Sequence, residues 1–272
     1  MNILILSWRG PGHPQSGGAE QTTLAHAAGW VSAHHKVTLF TSNFVNAKDK
    51  EIIKGVKIIR WGDQFIGVRT AAFFWYWFGS HPKIDLVVDE FHGIPFFTPL
   101  WALRSKILAF IHEVAAPVWH LNPWPKPFNL IPAFVGKYGE PWMFRLLYRN
   151  VRFMTVSEST KKDLQKYSIK EIRVVNNGVT LPKRIPICQK EKNFTIMNLS
   201  GLAKDKGIED AIKIFYLTKS MIPNIKFWVV GKGDPESISY LRGICPEAKY
   251  WGFVSETLKF ELLSRAHVLL NP

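Results

Sequence analysis

The sequence predicts an α/β protein with two doubly wound parallel sheets, and three observations lead to this prediction. Short apolar runs recur along the chain, each followed by a loop and a helix-like pattern, as in βαβ units. A polar stretch containing prolines interrupts this rhythm late in the chain, and a second strand–helix series follows it. The hydrophobic content of 47% can supply the cores that two such sheets need.

The apolar runs set the expected elements. In the first series the predicted strands are Asn2–Leu6, Lys36–Thr41, Val56–Trp61, Leu86–Asp89, Lys106–Ile111, Phe153–Val156 and Ile172–Asn176. In the second series they are Phe194–Leu199, Ile225–Val230 and His267–Leu270. Helices are expected after the hydroxyl-rich start at Ser157, over Ile208–Thr218, and from a cap at Ser255 to Ala266.

These series predict an N-terminal domain over residues 1–180, a linker over 181–192 and a C-terminal domain over 193–272. The second domain is expected to be truncated, because no helix follows the last strand to cover its sheet. So short a stretch also makes a marginal domain when no disulfide or metal supports it.

The junction after the first strand is the strongest local signal of function. A loop from Trp8 to Glu20 ends in Gly17 and Gly18, where a helix is expected to begin. Two missing side chains allow backbone N–H groups and the positive end of the helix dipole to meet an anionic or hydroxyl-rich ligand closely. The loop lacks both Gly-x-Gly-x-x-Gly and Gly-Lys-Ser/Thr, and a Gly-Gly pair can also be only a tight turn.

Charge and aromatic content indicate an anionic partner. The chain carries 35 basic and 21 acidic residues, a net charge of +14. Aromatic residues cluster near basic ones in two runs that contain Trp75 and Trp77, and Trp119 and Trp124, which suits either an anionic membrane surface or single-stranded nucleic acid. Nucleic acid is not expected, because the chain has no RNA-binding signature and no long Lys/Arg block.

The cysteines and the N-terminus are informative about the cellular compartment of the protein. Cys188 and Cys245 lie far apart without metal-like spacing, and the chain starts with a strand instead of a signal peptide. Neither aromatic run reaches the length of about 20 apolar residues that a spanning helix needs. We therefore expect a cytoplasmic protein, with peripheral contact to the inner face of a membrane as one option.

Seven segments together resemble the GT-B glycosyltransferases, specifically the retaining group called glycosyltransferase family 4. They are Gly17-Gly18-Ala19-Glu20, Ile111-His112-Glu113, Val156-Ser157-Glu158-Ser159, Asn177-Gly178-Val179, Leu202 with Lys206-Gly207, Val230-Gly231-Lys232-Gly233 and Gly252-Phe253-Val254-Ser255. The resemblance covers the whole chain. It implies transfer of a sugar, with retention, from a nucleotide-sugar donor to a hydroxyl acceptor that is a glycan or is lipid-linked, without a metal or other cofactor.

The resemblance also implies roles for particular residues. Catalytic roles fall to His112, near the donor sugar, and to Lys206, which stabilises the departing diphosphate. The donor-binding set is Gly17, Gly18, Lys206, Gly231, Gly233, Val254 and Ser255. From the aromatic and basic runs, and not from the resemblance, the acceptor or the membrane is expected near Trp75, Trp77, Trp119 and Trp124.

The chain departs from the family pattern in two places. Gly201 stands where the family usually has an arginine, and the nearby Lys204 would offer a point charge without the arginine fork. The family's paired glutamates belong to a segment beyond the last strand, which this sequence does not contain. An incomplete donor-sugar site is therefore expected.

The sequence disfavours two other functions and leaves a third open. A zinc protease would need a second histidine where Ala116 stands, so that hypothesis fails. A nicotinamide-dependent oxidoreductase is disfavoured by the absent glycine fingerprint and by the lack of an acidic residue near Thr41. A noncatalytic sugar- or nucleotide-binding fragment stays open. The sugar, the base, the acceptor and the oligomeric state do not follow from the sequence.

Overall fold

A computed structural model describes residues 1–91, 93–115, 119, 127, 130–178, 187–203 and 206–272. The chain forms two compact units, Met1–Gly178 and Val179–Pro272. Each contains one sheet with helices on both faces, which confirms the predicted fold class. Residues 181–186 of the predicted linker lie outside the described residues, and residues 187–192 contain neither helix nor strand.

The first unit follows the predicted strand–helix rhythm. Its described elements are β1 (Asn2–Leu6), α1 (Gly18–Ser32), β2 (Lys36–Thr41), β3 (Lys50–Ile53), β4 (Val56–Arg60), α2 (Gly67–Phe78), β5 (Leu86–Phe91), a 3₁₀ helix (Thr98–Leu100), β6 (Lys106–Ile111), α3 (Leu130–Phe134), a π-helical turn (Val135–Gly139), α4 (Glu140–Leu146), β7 (Arg152–Thr155), α5 (Glu158–Lys166) and β8 (Ile172–Val174). The strands are ordered β3-β4-β2-β1-β5-β6-β7-β8.

Strand alternation explains how both faces of this sheet are covered. Leu4 and Leu6 point to the face covered by α2, whereas Ile3 and Ile5 point to the face covered by α1. All four side chains are buried, as is typical of a parallel strand in the centre of a sheet.

The edge strand β3 was not predicted. It pairs antiparallel with β4 through a two-residue turn, in which Lys54 and Gly55 both have positive φ, as tight hairpins require. Its residues alternate between exposed and half-buried, so the segment lacks the continuous apolar run that marks the other strands.

The second unit repeats the same architecture on a smaller scale. Its described elements are β9 (Thr195–Leu199), α6 (Ile208–Met221), β10 (Lys226–Val230), α7 (Pro235–Ile244), β11 (Lys249–Gly252), α8 (Glu256–Arg265) and β12 (Val268–Leu270). All strand pairs are parallel, in the order β11-β10-β9-β12. Helices α6 and α7 cover one face, and α8 covers the other.

Within the described part of the chain, no helix is both long and apolar enough to cross a membrane. The thiols of Cys188 and Cys245 are both free.

Candidate active site

The predicted residues of the first unit share one edge of its sheet. Gly17 and Gly18 follow β1, and His112 comes directly after β6. Strand β5 lies between these two strands and pairs in parallel with both. The carboxyl edge of an open parallel sheet is where ligands bind in such folds, so the structure brings these residues to the expected edge.

The start of α1 is shaped by Glu20 as well as by the two glycines. The N–H of Gly17 donates to Oε2 of Glu20 at 2.6 Å, so that amide is already committed to a carboxylate. The amides of the first helical turn, from Gly18 onward, have no partner within the helix. A Cβ on Gly18 would meet no atom of the protein within 4 Å. Gly17 and Gly18 are both exposed, and a Cβ on Gly17 would lie 3.8 Å from Oε2 of Glu20, so the space beside Gly18 is the more open of the two.

A buried carboxylate links α1 to His112. Oε1 of Glu90, at the end of β5, lies 3.5 Å from Nε2 of His112 and accepts a hydrogen bond from the hydroxyl of Thr23 on α1. Glu90 and Thr23 are only 1% and 3% exposed. Glu90 thus holds the histidine ring against the helix that starts at Gly18, and it was not among the predicted site residues.

His26 lies on the same side of the sheet, one turn further along α1. Its ring centroid is 5.5 Å from that of Phe110. Burial first, and the nearby His112 second, lower the pKa of His26 below its ordinary value. Both effects favour the neutral form of His26.

The neighbouring residue Asp89 has a structural task on the opposite face of β5. It accepts hydrogen bonds from the backbone N–H of Phe96, from the N–H and hydroxyl of Thr98, and from the hydroxyl of Tyr148 at 2.6 Å. Complete burial raises the pKa of Asp89 in spite of these donors. The carboxyl group therefore fixes the turn that follows β5.

The predicted residues of the second unit also gather at one sheet edge. Lys206, Gly231 and Gly233, and Val254 and Ser255 follow three adjacent strands, β9, β10 and β11. Lys206 is exposed and lies two residues before α6, whereas Lys204 is outside the described residues. The loops after β9 and β10 run side by side, because Leu202 N–H donates to the Lys232 carbonyl at 2.7 Å.

Several of these residues have clear structural tasks. The Ser255 hydroxyl caps α8 by accepting from Leu258 N–H, and Val254 packs partly against the core beneath that helix. The N–H of Gly231 donates to the Gly252 carbonyl, and its own carbonyl accepts from the Tyr250 hydroxyl. The roles of all of them in donor binding stay predictions.

Gly231 provides a stability prediction. Its φ is +150°, and a Cβ there would overlap the backbone carbonyl of Ser200. We expect Gly231→Ala to destabilise the second unit by about 1–3 kcal/mol, through backbone strain and steric overlap. Urea unfolding would measure the loss, with Gly243→Ala as the control, because a Cβ at Gly243 meets no atom within 4 Å. Equal stability of the two variants would contradict the strain.

The predicted aromatic residues do not form one exposed surface. Trp75 is half-buried and stacks on His81, and the half-buried Trp77 lies beneath the guanidinium of Arg104. The indole N–H of Trp119 donates to Glu140. The Trp119 ring packs so closely against Gly136 that a Cβ at this glycine would overlap it. Trp124 lies outside the described residues. Their roles toward an acceptor or membrane stay predictions.

Within the described ranges, no group of three or more His, Cys, Asp or Glu side chains could hold a metal ion. At the site in the first unit, Glu90 contacts His112 and Thr23, and His26 interacts electrostatically with Glu90 and His112.

Two Rossmann-like units with loops at their carboxyl edges have the fold of the GT-B glycosyltransferases. The sequence profile of Glycosyltransferase Family 4 matches residues 16–182, which is more than half of the chain. The chain therefore belongs to glycosyltransferase family 4. None of the curated proteins matches it in sequence.

Solved glycosyltransferase structures share the fold. The chain is similar to Alr3699/HepE of Anabaena in complex with UDP and glucose, at 14% identity and a TM-score of 0.63, over 100% of this chain and 74% of that one. WaaG, a glycosyltransferase involved in lipopolysaccharide biosynthesis, has 13% identity, a TM-score of 0.66 and coverage of 99% and 74%. The trehalose-6-phosphate synthase OtsA has 10% identity, a TM-score of 0.67 and coverage of 100% and 78%.

Proposed function

We propose that this glycosyltransferase moves a hexose from a nucleotide-sugar donor to a hydroxyl acceptor with retention of anomeric configuration. The observation that carries the proposal is the open space beside Gly18, which lies at a ligand-binding sheet edge inside the matched family region. Complexes of similar folds add support, since HepE was solved with UDP and glucose and a starch synthase of Arabidopsis thaliana with ADP and acarbose.

The chemistry follows from the charge that develops on the leaving group. Breaking the bond between sugar and diphosphate leaves negative charge on the diphosphate and positive character on the sugar ring. Lys206 of the second unit supplies positive charge for the diphosphate. In the first unit, the first-turn amides of α1 favour an anionic or hydroxyl-rich group of a ligand. His112, oriented by Glu90, meets the donor sugar. No step requires a metal ion.

The acceptor we propose is a lipid-linked glycan or a growing surface polysaccharide. The net charge of +14 favours an anionic surrounding such as a membrane that carries phosphate headgroups. The corresponding location is the cytoplasmic face of a membrane, with the protein bound peripherally.

Incubation with a panel of radiolabelled nucleotide sugars tests this function directly. Transfer to a lipid or glycan fraction is expected, and NMR of the product should show the anomeric configuration of the donor. An inverted product would contradict retention. Nucleotide binding without transfer or hydrolysis would favour a noncatalytic binding protein instead, and hydride transfer with a nicotinamide cofactor would favour an oxidoreductase.

A further inference from the structure

An apolar stripe runs along the outer side of the helical segment formed by α3, the π-helical turn and α4. Its members, which we call the α3–α4 stripe, are spaced four residues apart and are 64%, 65%, 53%, 60% and 60% exposed: Leu130, Phe134, Tyr138, Trp142 and Leu146. Side chains at this spacing lie on one side of a helical segment. A continuous exposed row of large apolar groups marks an interaction surface on a soluble domain.

The inner side of α4 already covers the core, whereas α3 has no buried residue. Met143, Phe144 and Tyr148 are buried against β5, β6 and β7. Helix α4 is therefore apolar on two sides, and packing of this domain accounts for only one of them. A helix that only covered a sheet would be polar on its outer side.

The charges around the stripe have one sign. Lys137, Arg145 and Arg149 are exposed, and the Lys137 ammonium lies 5.2 Å from the centroid of the Tyr138 ring. The only acidic residue between residues 130 and 150 is Glu140, which is 4% exposed and faces Ala115 and Trp119. The outer side thus combines apolar groups with cations and offers no exposed carboxylate.

We propose that the α3–α4 stripe is the surface by which this protein lies on an anionic lipid bilayer. Apolar side chains would enter the boundary between headgroups and acyl chains, and the three cations would meet lipid phosphate. Tyr138 and Trp142 suit the headgroup level, where amphipathic rings concentrate. A second copy of the chain fits less well, because the segment presents no exposed carboxylate to pair with the cations of its copy.

This proposal adds a membrane-binding surface to the proposed function. It rests on that function in one respect, because a membrane-borne acceptor would explain why the protein binds a membrane. The stripe differs from the aromatic residues expected from the sequence. Trp75 and Trp77 belong to α2 and are half-buried, whereas the stripe residues are mostly exposed.

Sedimentation with lipid vesicles tests the surface without any donor or acceptor. The protein should bind phosphatidylglycerol–phosphatidylcholine vesicles, bind much less to pure phosphatidylcholine, and dissociate as salt is raised. Phe134→Ser with Trp142→Ser should weaken binding at least about tenfold. Lys137→Gln with Arg145→Gln should weaken it roughly fivefold for each charge removed.

A matched control pair lies on α6, where Leu217 and Met221 are 70% and 81% exposed. Leu217→Ser with Met221→Ser should leave vesicle binding unchanged. Circular dichroism and thermal unfolding should show that every variant is folded, since all the substituted side chains are exposed. Because binding is measured without nucleotide sugar, an inactive enzyme that still binds through the stripe would count against the proposed function alone.

Three results would overturn the proposal. The first is no binding of the unmodified protein to anionic vesicles at low salt, and the second is equal binding by the stripe variants. The third is a dimer in light scattering that dissociates in the Phe134→Ser and Trp142→Ser variant, which would assign the stripe to a second copy.

Discussion

Gly18→Ala is expected to lower kcat/KM for sugar transfer about 100-fold without destabilising the protein. An added methyl group would project into the open space beside the first turn of α1, where we place the donor. Displacing a substrate by even about 1 Å from its reactive geometry can cost a factor of 100 in rate. The folded protein has no clash to relieve, and alanine is a better helix former than glycine by up to about 1 kcal/mol.

Gly29→Ala is a closely matched control. Gly29 is exposed on the same helix, and a Cβ there also meets no protein atom within 4 Å. Both substitutions add one methyl group to α1 and both should raise its stability slightly. Steady-state kinetics with a labelled donor, together with thermal unfolding, would separate the two. Equal activity of the two variants would show that the space beside Gly18 is not part of the donor site.

Gly18 and Gly231 have different surroundings, and the sequence could not show this difference. Both were predicted to bind the donor, Gly231 from the family motif and Gly18 also from its place at the start of a helix. The structure gives Gly231 a backbone conformation and a packing contact that exclude any side chain, whereas Gly18 borders open space. Loss of activity in a Gly231 variant would therefore say little about ligand binding, but a loss at Gly18 would say much.

The central strands were predictable for a physical reason. Strands such as β1 and β10 are buried on both faces and so appear as unbroken apolar runs. The edge strands β3 and β11 were missed because each has only two apolar residues in sequence, Ile52 and Ile53 in β3 and Tyr250 and Trp251 in β11, whereas the other two edge strands, β8 and β12, were predicted. Edge position is a property of the whole sheet, and short windows of sequence do not encode it.

The candidate site likewise contains one residue that the sequence could place and one that it could not. His112 could be placed because it immediately follows an apolar strand, and its position depends on neighbours in sequence. The role of Glu90 depends on Thr23, which is 67 residues away, and on His112. Contacts of this range come from strand order. The one signal available was a pair of acidic residues, Asp89 and Glu90, at the end of an otherwise apolar strand.

Glu140→Gln is expected to remove a pH dependence of stability of about 3 kcal/mol. Burial raises the pKa of Glu140 from 4.5 to about 7, although Ala115 N–H and the Trp119 indole donate to its carboxyl oxygens. Between these two pH values the folded protein retains a proton that the unfolded chain has released. The free energy of unfolding therefore falls as pH rises through this range, by about 1.4 kcal/mol per pH unit.

Urea unfolding near pH 5 and near pH 8 would measure the effect as the difference between the unmodified protein and the variant. Glutamine keeps the shape of the protonated acid and does not ionise, so the variant should gain relative stability at the higher pH. Glu171→Gln is the control, because that side chain is 66% exposed in an ion pair with Arg152. Parallel pH profiles for the unmodified protein and Glu140→Gln would contradict the prediction.

Ionisation of Glu140 should disturb the structure around this residue before it unfolds the whole protein. An ionised Glu140 gains hydration only by leaving its buried position, and its departure removes the acceptor of the Ala115 amide. Ala115 lies three residues after His112, so the same titration would loosen the chain next to the histidine that we propose meets the donor sugar. Hydrogen exchange at Ala115 should therefore accelerate above about pH 7 more than base catalysis alone predicts, and Glu140→Gln should abolish that excess.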